Sequence, residues 1–327
     1  MKILITGADG MLGSSICREA LIQGYSVRAF ILPNRNMNTL NGLPIELFYG
    51  NLLDKISLEK AVEGCDVIIN AAASTQIWPR RNALINEINF EAVLNLVLLA
   101  KKYKIHRFIQ IGTANSFGHG TKNNPGNEQT DFMGNFYKMD YVDSKYKTQV
   151  WLLNEAKESK FPAIVINPTF MVGPYDSGPS SGKILLSLFQ NQLPGYTSGM
   201  KNFVYSKDVA VATVNAIKLG ELGNCYIAGN INLSFKEFFI EACKVQGKPF
   251  KLIKIPSFLI LSIGLFSSVI SRVTKRPPKL GFHMAKQSTM VQCYSASKAQ
   301  NKLNMPSTPI REAIKSCIDW WKENEYL

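Results

Sequence analysis

Tyr141 and Lys145 stand four residues apart in the segment Tyr141-Val-Asp-Ser-Lys145 of a 327-residue chain. If residues 136–158 form a helix, positions four apart share a face, so phenol and ammonium point the same way. A neighbouring cation stabilises a phenolate and draws the tyrosine pKa down from its ordinary value of about 10. Such a tyrosine can protonate a carbonyl oxygen or take the proton of an alcohol. An ordinary solvated Tyr/Lys pair on a helix surface would show the same spacing, so a second signal is needed.

The opening MKILITGADGMLG supplies it. Residues 2–6 read as an apolar, β-branched strand, and Gly7, Gly10 and Gly13 lead into the amphipathic stretch 11–23. Strand, glycines and helix in that order form the context of a dinucleotide-binding fingerprint. In it, Gly7 permits the tight turn, Gly10 lets a diphosphate approach the backbone, and Gly13 lets helix and strand lie close. The phosphates then face a positive helix end.

The blocks TGADGMLG, INAAA (69–73), IGTANSFG (111–118), YVDSK and NPTFMVGP (167–174) also come in a recognisable order. In this the chain resembles the extended short-chain dehydrogenase/reductase superfamily over almost its whole length, and looks most like its dihydroflavonol reductase and 3β-hydroxysteroid dehydrogenase branch. The resemblance implies that Tyr141 is the catalytic tyrosine and that Lys145 binds the nicotinamide ribose. It places Thr113 where a serine usually stands, and a threonine hydroxyl can make the same hydrogen bond. Asn89 matches the helix asparagine that organises a relay water in many relatives, although a purely structural role is equally open. The implied cofactor contacts are Gly7, Gly10, Met11, Leu12 and Gly13 in the turn, Ala71, Ala72 and Ala73 after the fourth strand, Lys145, and Pro168. Asn51 and Leu52 match a pair that flanks the adenine, with Asn51 where relatives more often carry aspartate. Relatives commonly dimerise through the two long helices beside the site, so a homodimer is an expectation by analogy.

The elements that must position these residues alternate in the doubly wound manner. Strands are expected at 2–6, 26–31, 45–49, 67–70, 108–112 and 163–167, with long helices at 82–103 and 136–158. The fold class is therefore α/β, a doubly wound parallel Rossmann sheet with a smaller C-terminal substrate-binding lobe. Residues 1–170 are expected to form the dinucleotide domain, 203–220 to return to it, and 171–327 to form mainly the lobe. The segment 225–227 is assigned to that lobe, and 310–325 to a closing amphipathic helix with Trp320 and Trp321. Ligands of such sheets bind beyond the carboxyl ends of the strands, where Gly7, Ala71, Thr113 and Pro168 all fall.

Composition narrows the rest. With 46% hydrophobic and 19% charged residues, the chain can fill a core and shows no extended disorder. Cys17, Cys65, Cys225, Cys243, Cys293 and Cys317 form no CxxC pair, and His106, His119 and His283 lack metal-ligand spacing. They read as reduced thiols in a cytoplasmic protein without a zinc site. The opening residues already form the first strand, so no signal peptide is expected before it. The net charge of +13 could steer an anionic or acyl-linked substrate, attract an acidic membrane surface, or reflect a surface preference with no partner behind it; lysines spread along the chain rather than clustered with aromatics argue against a specific nucleic-acid partner. The strongest apolar run, 258–270, is followed by Arg272, Lys275 and Arg276. It is too short for the ~20 residues of a span. A buried pocket wall is expected there in preference to contact with a membrane surface.

At the end of the second strand Arg35 stands with no acid around it, which favours NADP while leaving NAD possible. Three functions compete. The first is an NAD(P)-dependent reductase or dehydrogenase of an apolar ketone or secondary alcohol. The second is a sugar-nucleotide epimerase or dehydratase, disfavoured because Lys201 and Asn167 stand where such enzymes often use arginine. The third is a cofactor-binding regulatory protein, disfavoured because it would need neither Tyr141 nor Lys145. The substrate pocket is expected to draw on the loop 74–81, including Trp78.

Overall fold

The computed structural model describes residues 1–327 apart from Ile77, Arg80 and Lys279, and apart from the side chain of Asn135. Seven parallel strands form the main sheet: β1 (Lys2–Thr6), β2 (Ser26–Ile31), β3 (Glu46–Tyr49), β4 (Val67–Asn70), β5 (Arg107–Ile111), β6 (Ala163–Pro168) and β7 (Asn224–Ala228). Their spatial order is β7-β6-β5-β4-β1-β2-β3, so the chain reverses direction across the sheet between β1 and β4. That reversal opens a ligand crevice at the carboxyl ends of the strands.

Strands buried on both faces read as continuous apolar runs, and the two-residue period divides each run between two cores. Ile3, Ile5, Ile69, Ile109 and Ile166 face one core, shared with α1 (Met11–Ile22) and α5 (Ser206–Leu219). Leu4, Phe30, Ile68, Phe108 and Val165 face the other. This second core is covered by α2 (Lys55–Val62), α3 (Ala83–Lys102) and α4 (Asp140–Ser159). The lobe has its own centre, in which Phe203 stacks on Phe238 of α6 (Phe235–Val245) with ring centroids 4.1 Å apart. Trp321 of α9 (Ile310–Glu323) is buried in the same cluster.

Three expectations change. The segment 225–227 lies in β7, an edge strand of the main sheet paired with β6 from Asn224–Ile164 to Ala228–Pro168, and not in the lobe. Its apolar side chains meet the faces already occupied by β6, which is where a parallel crossover through α5 delivers them. The helix expected over 136–158 begins at Asp140, because a separate turn over Gly134–Tyr137 ends with Lys138 in the left-handed region, at φ 47°. Tyr141 therefore lies in the first turn of α4. Finally, the run 258–270 is no buried wall: it belongs to α7 (Ser257–Thr274), whose apolar side chains are largely exposed.

Candidate active site

The carboxyl ends of β1, β4 and β5 are cross-braced by polar side chains. Thr6 donates to the Asn70 Oδ1, and Asn70 Nδ2 donates to Gln110 Oε1 at 2.9 Å. These three residues occupy one cross-strand row, since Thr6 pairs with Asn70 and Asn70 with Gln110. The Thr6 hydroxyl also accepts the Ala72 amide at 3.3 Å, fixing the segment that carries Ala71, Ala72 and Ala73 beside the glycine turn. Gly7 lies at φ +63°, and a Cβ there would stand 2.7 Å from the Ala72 Cα. A Cβ on Gly13 would stand 2.0 Å from the Gly7 carbonyl oxygen, so helix and turn approach as only glycine allows.

Met11, Leu12 and Gly13 form the buried first turn of α1. Its N-terminus carries no side-chain cap and no acidic residue. Unsatisfied amides and a positive helix end of this kind suit a diphosphate. Leu52 is buried after β3, while the Asn51 Oδ1 accepts the Leu53 amide at 3.0 Å and is spent on that turn. Arg35, 62% exposed, extends its Nε to 3.3 Å from the Asp9 Oδ2. The sequence reading placed no acid here; Asp9 reaches the second-strand end from the glycine turn, a proximity that only the folded chain creates.

At the other side of the crevice, Thr113 follows β5 and its amide donates to the Asn167 Oδ1 of β6 at 2.9 Å. The Asn167 Nδ2 is buried without a partner among the described residues. An unpaired buried amide costs about 1–3 kcal/mol, so an acceptor belongs opposite it. Together with the uncapped α1 terminus and the glycine cradle, it makes the crevice fit a dinucleotide. Pro168 closes β6 immediately beyond.

The Tyr141 phenol is buried beside the Thr113 side chain, whose hydroxyl favours the ionised form. The Lys145 Nζ donates to the Ile111 carbonyl at 2.7 Å, and the side chain is 4% exposed. Lys145 thus ties α4 to the end of β5, and Tyr141, one turn earlier, meets the residue two places beyond that carbonyl. The anticipated lowering of the tyrosine pKa does not occur in this state. Burial raises the Tyr141 value, which the neighbouring Thr113 hydroxyl only partly offsets. Burial also lowers Lys145 from 10.5 to about 8.

Asn89 lies in a π turn of α3 over Glu87–Glu91. Its Oδ1 accepts the Ser74 amide at 2.8 Å, and its Nδ2 donates to the Ser74 carbonyl at 3.0 Å and to the Ser144 Oγ at 3.1 Å. Its own carbonyl accepts from Thr148 at 2.7 Å. Through these bonds Asn89 clamps the loop after β4 onto α4. Arg81 continues that clamp by pairing with Asp140 and Asp143 in the first turn of α4. Ile77 and Arg80, expected in the pocket loop, lie outside the described residues. A cleft of about 580 Å³ opens beside this junction between Arg81, Phe132, Phe136 and Asp143.

Sequence reasoning missed Asn70, Gln110, Ser144 and the role of Asn167. For Asn70, Gln110 and Asn167 the available signal was a polar residue near the end of an otherwise apolar strand. It also missed a polar wall from the lobe, where Lys201 donates to Gln292 and Gln292 Nε2 donates to the Tyr137 hydroxyl at 3.1 Å. Burial lowers Lys201 to about 8.

Residues 3–231 match the NAD dependent epimerase/dehydratase family. Among curated proteins, the chain is 26% identical to a putative dihydroflavonol 4-reductase of Synechocystis sp., over 99% of this chain and 95% of that one. It is 25% identical to sterol demethylase protein B of Methylococcus capsulatus, over 99% of both. Among solved structures, gox2253 superposes with a TM-score of 0.87 at 25% identity, covering 100% of this chain and 99% of that one. A nucleoside-diphosphate-sugar epimerase from Pseudomonas aeruginosa shares the fold at a TM-score of 0.78 and 19% identity, covering 100% and 99%.

The Lys145 value carries a sign. Below about pH 8 both folded and unfolded chains hold the proton and the folded state bears the full burial cost; between about 8 and 10.5 only the unfolded chain holds it, so stability rises with pH. Lys145→Met is therefore expected to be more stable than the parent at neutral pH, by a margin that shrinks from pH 8 to 10.5, measured by urea unfolding. The glycine turn, the cross-braced strand ends and the match over residues 3–231 together establish that the chain belongs to the NAD-dependent epimerase/dehydratase family, within the extended short-chain dehydrogenases/reductases.

Proposed function

We propose that this protein is an NAD(P)-dependent carbonyl reductase or hydroxy dehydrogenase acting on an apolar ketone or secondary alcohol. The observation that carries the reading is the buried Tyr141 phenol beside Thr113 at the end of β5, with Lys145 one turn further along the same helix. Two hydroxyls held together at the mouth of a dinucleotide crevice form a site for one substrate oxygen. The nicotinamide, when bound, supplies or accepts the hydride. Thr113 orients the substrate carbonyl by a hydrogen bond, and Tyr141 delivers the proton as charge develops on that oxygen. Burial favours this direction, because a raised tyrosine pKa keeps the phenol protonated and ready to donate. With the dinucleotide bound, Lys145 would hold the nicotinamide ribose hydroxyls, and its positive charge would ease proton loss from the phenol. Asn89 and Arg81 act as positioning residues that hold α4 and its first turn in place.

The reductase reading is supported over a sugar-nucleotide one by the state of Lys201. Sugar-nucleotide enzymes often hold the substrate diphosphate with the forked, permanently charged donors of an arginine at this place. Lys201 is held by Gln292, with a lowered pKa. For the cofactor we propose NADP: Arg35 is exposed enough to leave Asp9 for a 2′-phosphate.

Tyr141→Phe is expected to lower kcat for NADPH-dependent reduction of apolar ketones by about 10²–10⁴ while leaving the cofactor Kd within about threefold. Undiminished turnover would remove Tyr141 from the reaction. Arg35→Ala is expected to weaken NADPH binding by about tenfold and NADH binding little, by fluorescence titration. Equal effects on the two would assign Arg35 no role in the choice.

A further inference from the structure

The helix α7 packs on α8 (Phe282–Ser288) through a narrow stripe. Ile260, Gly264 and Ser271 are its buried positions, and a Cβ on Gly264 would stand 2.7 Å from the Ala285 Cβ, so the two helices touch closely. At about 100° per residue these three positions fall within roughly 40° of arc. The opposite face is apolar and bare: Phe258 is 73% exposed, Phe266 71%, Val269 51% and Val273 80%. With Leu265 and Ile270 these side chains sweep roughly 140° of arc on the solvent side. A helix that turned its apolar residues inward for stability would show the reverse.

The charge of this stretch of chain has one sign. Residues 242–311 contain no Asp or Glu, while Lys and Arg recur throughout. Arg272, Lys275 and Arg276 gather where α7 ends, all exposed. An exposed apolar stripe edged by cations, with its other side seated on the protein, matches a helix lying in the plane of a lipid interface. Anionic headgroups would pair with the cations, and no carboxylate of this segment opposes them. A second copy of the chain would bring the same positive charge to the contact, which disfavours self-association through this face.

We propose that α7 and α8 dock the protein on an anionic lipid surface, with the face around Phe266 buried among the acyl chains. The location is suited to a site that takes apolar molecules. The Lys286 Nζ of α8 sits 3.9 Å from the Phe136 ring centroid, and Phe136 packs in the cluster that includes Tyr137 and Tyr141. Supply of an apolar substrate from the lipid rests on the reductase reading, whereas docking does not, and it is measured without turnover.

The test is co-sedimentation of the full chain with vesicles of phosphatidylglycerol and phosphatidylcholine, against phosphatidylcholine alone. The expected result is binding to the anionic vesicles that weakens with salt. Phe266→Glu combined with Val269→Glu is expected to reduce binding at least tenfold, with unchanged thermal unfolding and NADPH affinity. Replacing Arg272, Lys275 and Arg276 together by glutamine is expected to lower it to the level seen with neutral vesicles. Failure of the parent protein to sediment with anionic vesicles overturns the proposal. So does light scattering that finds a dimer in the parent and a monomer in the Phe266/Val269 variant without vesicle binding, which would give the face to a second copy.

Discussion

The hydrogen bond from the Lys145 ammonium to the Ile111 carbonyl sets the geometry of the whole site. It fixes α4 against the carboxyl end of β5 at one register, and one helical turn earlier that register puts Tyr141 beside Thr113. The cation is buried to make this contact, and its pKa falls to about 8 as a result. The fold therefore holds a charged group in an unfavourable place to define where a phenol stands. Around it, Asn89 with Ser144 and Arg81 with Asp140 secure α4 from the β4 side, and Asn167 secures Thr113 from the β6 side.

The other half of the crevice is built by close approach and not by charge. Gly7 and Gly13 let α1 meet β1 and β4 at distances that a side chain would forbid. Thr6, Asn70 and Gln110 keep those strand ends in register with one another. The two halves meet at the reversal of strand order, so residues from the first turn of the chain and from α4 face a common space.

Much of this was legible in the residues. The apolar strands 2–6, 26–31 and 67–70 appear with those bounds, because strands buried on both faces write themselves as unbroken β-branched runs. The Tyr141/Lys145 spacing gave the shared helix face directly. What could not be read depended on partners distant in sequence. Asp9 beside Arg35, the hydrogen bond from Lys145 to a backbone carbonyl, and the placement of β7 are all tertiary facts. The exposed face of α7 escaped for a different reason: an apolar run has the same composition whether it is buried or bare, and only the surrounding fold decides.

The central claim, that Tyr141 and Thr113 address one substrate oxygen above the nicotinamide, is tested most directly by a crystal structure of the chain with NADP⁺ and an alcohol or ketone ligand. The expected map shows the ligand oxygen within about 3.2 Å of both hydroxyls and its carbon facing nicotinamide C4. A phenol turned away from the pyridine ring, with the ligand oxygen held by other groups, would contradict the account.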